Sequence, residues 1–207
     1  MDELATRRNE RPWHRGVGRD DVVAEALRIF DDEGREALTM RRLAASLGIE
    51  APSLYAHVRS KDELVDAVLD AVLESVSLPP DGADVRASLL AGFGEYRRAL
   101  LRHPAVVLLM TERATRSGAQ YRLARRAIEL LEAAGLSTRE AVDAQVTLIA
   151  FVLGFILQEV SRPVRPPASL PPDPVMTRAL TVLSQRSVDE RFEVGLGLIM
   201  DGAGVRR

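Results

Sequence analysis

Three features of this 207-residue sequence predict an all-α fold. Apolar residues recur at three- and four-residue spacing through most segments. Ser-x-x-Glu pairs, which satisfy the free N–H groups at a helix start, open segments at Ser60/Glu63, Ser137/Glu140 and Ser187/Glu190. No segment carries a convincing strand pattern.

Residues 1–18 set Arg7, Arg8, Arg11 and Arg15 around Pro12, Gly16 and Gly18 with no apolar period, which predicts a flexible basic arm. The first helix starts at Asp20 and carries Val22, Val23, Ala26, Leu27 and Phe30 on one stripe, with Gly34 as its stop. Thr39 caps a short second helix whose inward positions are Leu43, Ala44 and Leu47, and Gly48 ends it in the left-handed conformation. Ile49 leads into a third helix with Pro52 in its first turn, where a missing N–H costs nothing, and the helix runs to near Val58. Ser60 opens a fourth helix through Leu64, Val65, Val68, Leu69, Val72 and Leu73 to about Val76, and the Leu-Pro-Pro-Asp-Gly stretch at 78–82 breaks it.

The second part is helical again. Val85, Leu89, Phe93, Tyr96 and Leu100 form a stripe that ends at His103-Pro104, and a short apolar piece follows at 105–110. A helix is expected over 117–134 with Gly135 as its stop, and a long one from Ser137 to about Ser161. The proline-rich stretch 163–174 reads as extended, a weak helix follows at 175–185, and Ser187 caps a last helix through Phe192, Leu196 and Ile199 to Met200. The expected organisation is an arm at 1–18, a three-helix head at 19–66 and a helical body at 67–207.

Composition removes several classes. No cysteine is present and His14, His57 and His103 are scattered, so neither a metal site nor a cofactor is expected. The N-terminus lacks the apolar centre of a secretory signal, which predicts a cytoplasmic protein. The longest apolar run, 146–157, is read as a buried helix too short to span a bilayer, so no membrane partner is expected. No Glu-x-x-His pair, Gly-rich phosphate loop or nucleophile spaced near a base is found, which argues against an enzyme.

The net charge is −2, yet its distribution is uneven. Residues 1–38 hold seven Arg against ten Asp or Glu, whereas 39–61 hold Arg41, Arg42, Arg59 and Lys61 against Glu50 alone. A small cationic patch on an acidic chain calls for specific contacts rather than bulk attraction to phosphate.

Two short helices joined by a Gly-containing turn, the second bearing small and hydrogen-bonding side chains, have the logic of a DNA-reading helix-turn-helix. The stretch 34–69 contains Thr39, Leu43-Ala44, Leu47-Gly48-Ile49 and Leu54-Tyr55-Ala56-His57-Val58-Arg59-Ser60-Lys61, and on these residues it resembles the TetR family of transcriptional regulators. The body resembles the tetracycline-repressor-like subgroup more weakly, at 96–101, at Gln120-Tyr121 and at 192–196. Where that subgroup has a Mg-ligating histidine the chain has Met110, and its drug-contacting Asn and Phe positions fall on Gly92 and Tyr96. A Mg-tetracycline chelate is therefore not the expected effector.

The resemblance implies roles. Arg41, Ala51, Pro52, Ser53, Tyr55, Ala56, His57 and Lys61 would face double-stranded DNA, with Arg41 reading guanine, Ala51 and Pro52 meeting a thymine methyl, and Tyr55, His57 and Lys61 holding phosphates. Phe93, Tyr96, His103, Met110, Phe151 and Phe155 are the candidates for a small-molecule cavity, with Arg97 and Arg98 facing solvent. Val152, Gly154, Phe192, Gly195, Leu196 and Ile199 are the candidates for a homodimer interface across a two-fold axis. The function implied is a ligand-released repressor acting as a homodimer on a palindromic operator. The alternatives are an activator, or a helical ligand-binding protein without DNA function.

Overall fold

The computed structural model describes residues 16–77, 84–112, 117–161 and 173–205. The expectations for residues 1–15 of the arm, for the break at 78–82 and for the proline-rich stretch up to 172 lie outside them. Among the described residues there are ten α-helices and no strand. The chain divides into two compact units between Val68 and Leu69.

The first unit holds α1 (Arg19–Glu33), a 3-10 turn (Arg35–Ala37), α2 (Met40–Leu47), α3 (Ala51–Leu54) and the first half of α4 (Lys61–Glu74). Asp21 accepts the Gly18 N–H at 2.8 Å to start α1, and Val22, Val23, Ala26, Ile29 and Phe30 form its buried stripe. Thr39 Oγ1 accepts the Arg42 N–H at 3.1 Å, which caps α2. Gly48, at φ 69°, ends α2 with the Ile49 N–H reaching back to the Ala44 carbonyl at 3.0 Å, a Schellman closure.

The third helix is shorter than the sequence pattern predicts. Beyond Leu54 the Tyr55, Ala56 and His57 N–H groups donate three residues back, at 3.2, 3.3 and 2.9 Å, so the α turn tightens into 3-10 winding. Val58 N–H returns to the Leu54 carbonyl at 3.0 Å, which keeps both residues inward as the anchors of this segment. The capping pair before α4 also differs in detail. Ser60 Oγ accepts the Glu63 N–H, but the Glu63 carboxylate takes the N–H of Arg59 at 2.8 Å rather than that of Ser60.

The second unit holds the end of α4 with α5 (Val85–Arg102), α6 (Pro104–Glu112), α7 (Gly118–Ala133), α8 (Thr138–Val160), α9 (Pro174–Ser184) and α10 (Val188–Gly202). Full capping boxes open α8 at Ser137/Glu140 and α10 at Ser187/Glu190. The central helix is α8, which packs on α5, α6, α7 and α10 through Ala141, Ala144, Leu148, Val152 and Ile156. The apolar run 146–157 lies inside this 23-residue helix, which by length and composition is sufficient to cross a membrane, so the shortness of the run alone excludes nothing.

Arg97 departs from expectation. It is 6% exposed, donates Nε and Nη2 to Glu159 at 2.9 and 2.8 Å and Nη1 to Asp189 at 2.7 Å, and lies 4.9 Å from the Phe192 ring centroid and 5.7 Å from that of Phe155. Those acidic partners sit on α8 and α10, far away in sequence, so helical spacing within α5 does not reveal them. Arg98, one residue on, is exposed as predicted.

Candidate nucleic-acid interface and ligand cavity

In the first unit Leu54 is fully buried and Val58 nearly so, which turns the rest of the α3 segment outward. Pro52, Ser53, Tyr55 and Ala56 are exposed, Tyr55 at 55%, and Ala51 and His57 are half-buried. An exposed tyrosine, two exposed small residues and an outward Ser make a thin, hydrogen-bonding ridge, the shape that fits a major groove.

Three arginines of the unit are tied to its own acids. Arg19 donates to Glu63 at 3.0 Å and to the His57 carbonyl at 3.1 Å, Arg28 pairs with Glu25 and Asp32, and Arg42 pairs with Glu33. These are internal ties. The Arg59 N–H and the Arg19 guanidinium together hold the Glu63 carboxyl below its ordinary range. Arg41 and Lys61 are exposed and pair with no group among the described residues. Their charges are free for a phosphate or a base edge.

The second unit holds a partly open cavity of about 270 Å³, lined by Val76, by α5 (Ser88, Leu89, Gly92, Phe93, Tyr96), by α7 (Gln120, Leu123, Ala124, Arg126, Ala127, Leu130) and by α8 (Gln145, Val146, Ile149). The size is close to the lower end of small-molecule sites, about 300 Å³. The lining is mostly apolar with a few polar groups. Burial pushes the Tyr96 phenol well above its ordinary pKa, so it stays a donor, and its oxygen reaches only Met110 Sδ, at 3.5 Å. The Ser88 hydroxyl is buried and has no hydrogen-bond partner, a condition that costs about 1–3 kcal/mol.

Of the six cavity candidates, Phe93 and Tyr96 line it. Met110 stands behind Tyr96, and His103 closes the C-terminus of α5. Phe151 and Phe155 are elsewhere: with Phe192 they form an aromatic cluster, centroids 5.3–5.9 Å apart, over which Arg97 lies. Sequence reasoning passed over Ser88, Gln120 and Gln145, although Ser88, Gly92 and Tyr96 recur at four-residue intervals.

The interface candidates also need correction. Val152 and Leu196 are fully buried and Phe192 is 2% exposed within one chain, because the stripe they form is the one by which α8 and α10 grip each other. Gly195 backs directly onto the Phe151 ring of its own chain. Gly154 and Ile199 are half-buried, and a Cβ at Gly154 would meet nothing. Outward apolar residues on these helices include Leu198, 68% exposed, and Val194 on α10, with Val142, Val146, Ala150 and Val160 on α8.

The N-terminal end of α7 is tied to α4. Asp70 accepts from Ser117 Oγ at 2.5 Å and from the Ala119 N–H at 2.8 Å, placing a carboxylate at the positive end of α7.

Comparison with known proteins agrees with both halves. Residues 22–68 match the family profile described as bacterial regulatory proteins, tetR family, and 78–206 match the tetracyclin repressor-like C-terminal domain. The chain is 32% identical to the class A tetracycline repressor protein from transposon 1721 of Escherichia coli, over 90% of each chain. It resembles the crystal structure of Streptomyces coelicolor ActR in complex with actinorhodin, at 30% identity and a TM-score of 0.77, covering 93% of this chain and all of that one. It also resembles BioQ with its natural double-stranded DNA operator, at 29% identity and a TM-score of 0.69, covering 92% of this chain and 99% of that one.

Proposed function

The chain belongs to the TetR family of bacterial regulatory proteins, and from that premise we propose that it is a ligand-responsive repressor that binds a palindromic operator as a homodimer. The observation that carries the reading is the pairing of two features in one chain: an outward α3 ridge accompanied by Arg41 and Lys61, which pair with no group among the described residues, and a largely apolar cavity in the body.

On DNA, Pro52, Ser53 and Ala56 meet base edges with Ala51 at the start of the helix, Arg41 reads a guanine, and Tyr55, His57 and Lys61 hold phosphates. Two copies present their α3 segments to successive major grooves about 34–36 Å apart, which is why the operator is palindromic. The second copy covers Val194 and Leu198 of α10 and the outward side of α8. This accounts for α8, long and apolar as it is, having only 28% of its most apolar stretch buried within one copy.

The effector is a small organic molecule held in the body; ActR, a similar protein, has been crystallised in complex with one, actinorhodin. A ligand changes the operator equilibrium only by binding one dimer geometry better than another. Support for α4 as the link comes from its continuity: Lys61 stands in its first turn, and Asp70 is hydrogen-bonded to α7, whose Gln120, Leu123 and Ala124 line the cavity. The protein works by binding alone, without catalysis, in the cytoplasm.

The test is a fluorescence-anisotropy titration of the full chain against the DNA upstream of its own gene. Sequence-specific, salt-sensitive binding with a stoichiometry of two chains per site is the expected result. Equal affinity for operator-free DNA overturns the reading.

A further inference from the structure

The turn between α3 and α4 is closed by a contact from α1, and the inference drawn from it rests on the α3 segment being the DNA-reading face. Residues 55–59 carry two of the phosphate-holding side chains, Tyr55 and His57, and lead into the third, Lys61. Their backbone is wound as a 3-10 turn, whose hydrogen-bond geometry is poorer than that of an α-helix. One guanidinium nitrogen from the first turn of α1 braces it from outside. Arg19 Nη1 donates to the His57 carbonyl at 3.1 Å and to Glu63 Oε1 at 3.0 Å. The other Glu63 oxygen takes the Arg59 N–H at 2.8 Å. Arg19 and Glu63 together therefore hold the turn at two backbone points, a carbonyl and an N–H two residues apart.

The placement of the two charges is unequal. Glu63 suits the positive end of α4, whereas Arg19 opposes the dipole of α1 from its first position. The pair is too exposed, with side chains 51% and 32% accessible, to add much to the stability of the fold. Neither the dipole nor fold stability explains a cation at Arg19; the position of the His57 backbone does.

We propose that Arg19 is a positioning residue of the DNA interface: through the His57 carbonyl and Glu63 it fixes the 55–59 turn in the conformation that sets Tyr55, His57 and Lys61 on phosphates, and it binds no phosphate itself. With this clasp in place the turn is ordered before DNA arrives. Without it the same contacts form, but each copy must order its turn on binding, and affinity falls by that cost. Ordering releases no counterions, so the salt dependence stays as it was.

The test compares full-length Arg19→Ala and Arg19→Lys with the parent by anisotropy titration, at several salt concentrations and well below the melting temperature, on the DNA upstream of the chain's own gene. Arg19→Ala is expected to weaken binding about tenfold, one ordering cost from each of two copies, with an unchanged slope of log affinity against log salt. Arg19→Lys should recover most of the loss, because a single nitrogen makes both contacts. In the free protein Arg19→Ala should speed amide exchange at Val58 and Arg59 several-fold, leave α2 unchanged and melt close to the parent. A slope shallower by about 1.8 shows a phosphate held by Arg19 in each copy and overturns the proposal. Parent-like affinity in Arg19→Ala, unchanged exchange at Val58 and Arg59, or a marked fall in melting temperature overturns it as well, while leaving the DNA-reading face in place. A parent that prefers this DNA no more than unrelated DNA overturns the proposal together with the reading beneath it.

Discussion

Lys61 sits exposed in the first turn of α4, beside Asp62 and Glu63, and pairs with no group among the described residues. A cation there opposes the positive end of the helix, so Lys61→Ala is expected to stabilise the free protein by about 0.3–1 kcal/mol. On DNA the sign reverses. Each phosphate neutralised contributes about −0.9 to the slope of log affinity against log salt, so losing one lysine from each copy makes a dimer's slope shallower by about 1.8. A fourfold rise in salt, from about 50 to 200 mM, is about 0.6 log units, over which the parent should lose about tenfold more affinity than the variant. Anisotropy titrations on one operator fragment at several salt concentrations measure the slope, and a thermal melt without DNA measures stability. An unchanged slope removes Lys61 from the phosphate contacts. A lower melting temperature refutes the idea that the residue is held at a stability cost for the sake of DNA.

The interface reading separates two neighbours on α10: Leu198→Asp is expected to give folded monomers by light scattering, whereas Leu196→Asp, fully buried in one chain, is expected to unfold it. Two glycines should respond with opposite sign. A Cβ at Gly195 approaches Phe151 Cε2 to 2.7 Å, so Gly195→Ala should cost about 1 kcal/mol net, overpacking exceeding the gain in helix propensity. Gly154→Ala, into open space, should stabilise the monomer by up to about 1 kcal/mol, and equal melts for the two would contradict the packing described. Arg97→Met leaves the Glu159 carboxylate, 23% exposed, without its bidentate partner; denaturant titration should show a loss of about 2 kcal/mol, below the usual cost of breaking a buried pair because water reaches the acid. Hydrogen bonds from Ser137 and Ser187 hold the Glu140 and Glu190 carboxyls below their ordinary pKa. Their stabilisation is therefore fully present above the ordinary carboxylate value of about 4.3 and is lost as pH falls through the lowered folded values. The double variant Glu140→Gln, Glu190→Gln should show a flatter decline of melting temperature in acid than the parent.

The helices were legible because their signals are local. Thr39, Ser117, Ser137 and Ser187 cap the segments that follow them, and Gly48 and Gly135 end theirs at φ 69° and 96°. The exposed side of the α3 segment was legible for the same reason: Leu54 and Val58, four residues apart, claim the inward side and leave Tyr55 outside. The tightening after Leu54 was not, because a 3-10 turn and an α turn place these side chains on similar sides.

The sequence by itself determined where helices begin and stop and which stripe of each is apolar, since caps, glycines and a 3.6-residue period act over one or two turns. It could not say what each stripe meets. Val152, Phe192 and Leu196 form an apolar face that suits a second copy or the same chain equally well, and only the folded structure turned them inward against one another. The same holds for Arg97, whose partners lie 62 and 92 residues away, and for the cavity, whose walls come from α5, α7 and α8. Such pairings are chosen by long-range packing and by the burial of charge, and no short window of residues records them.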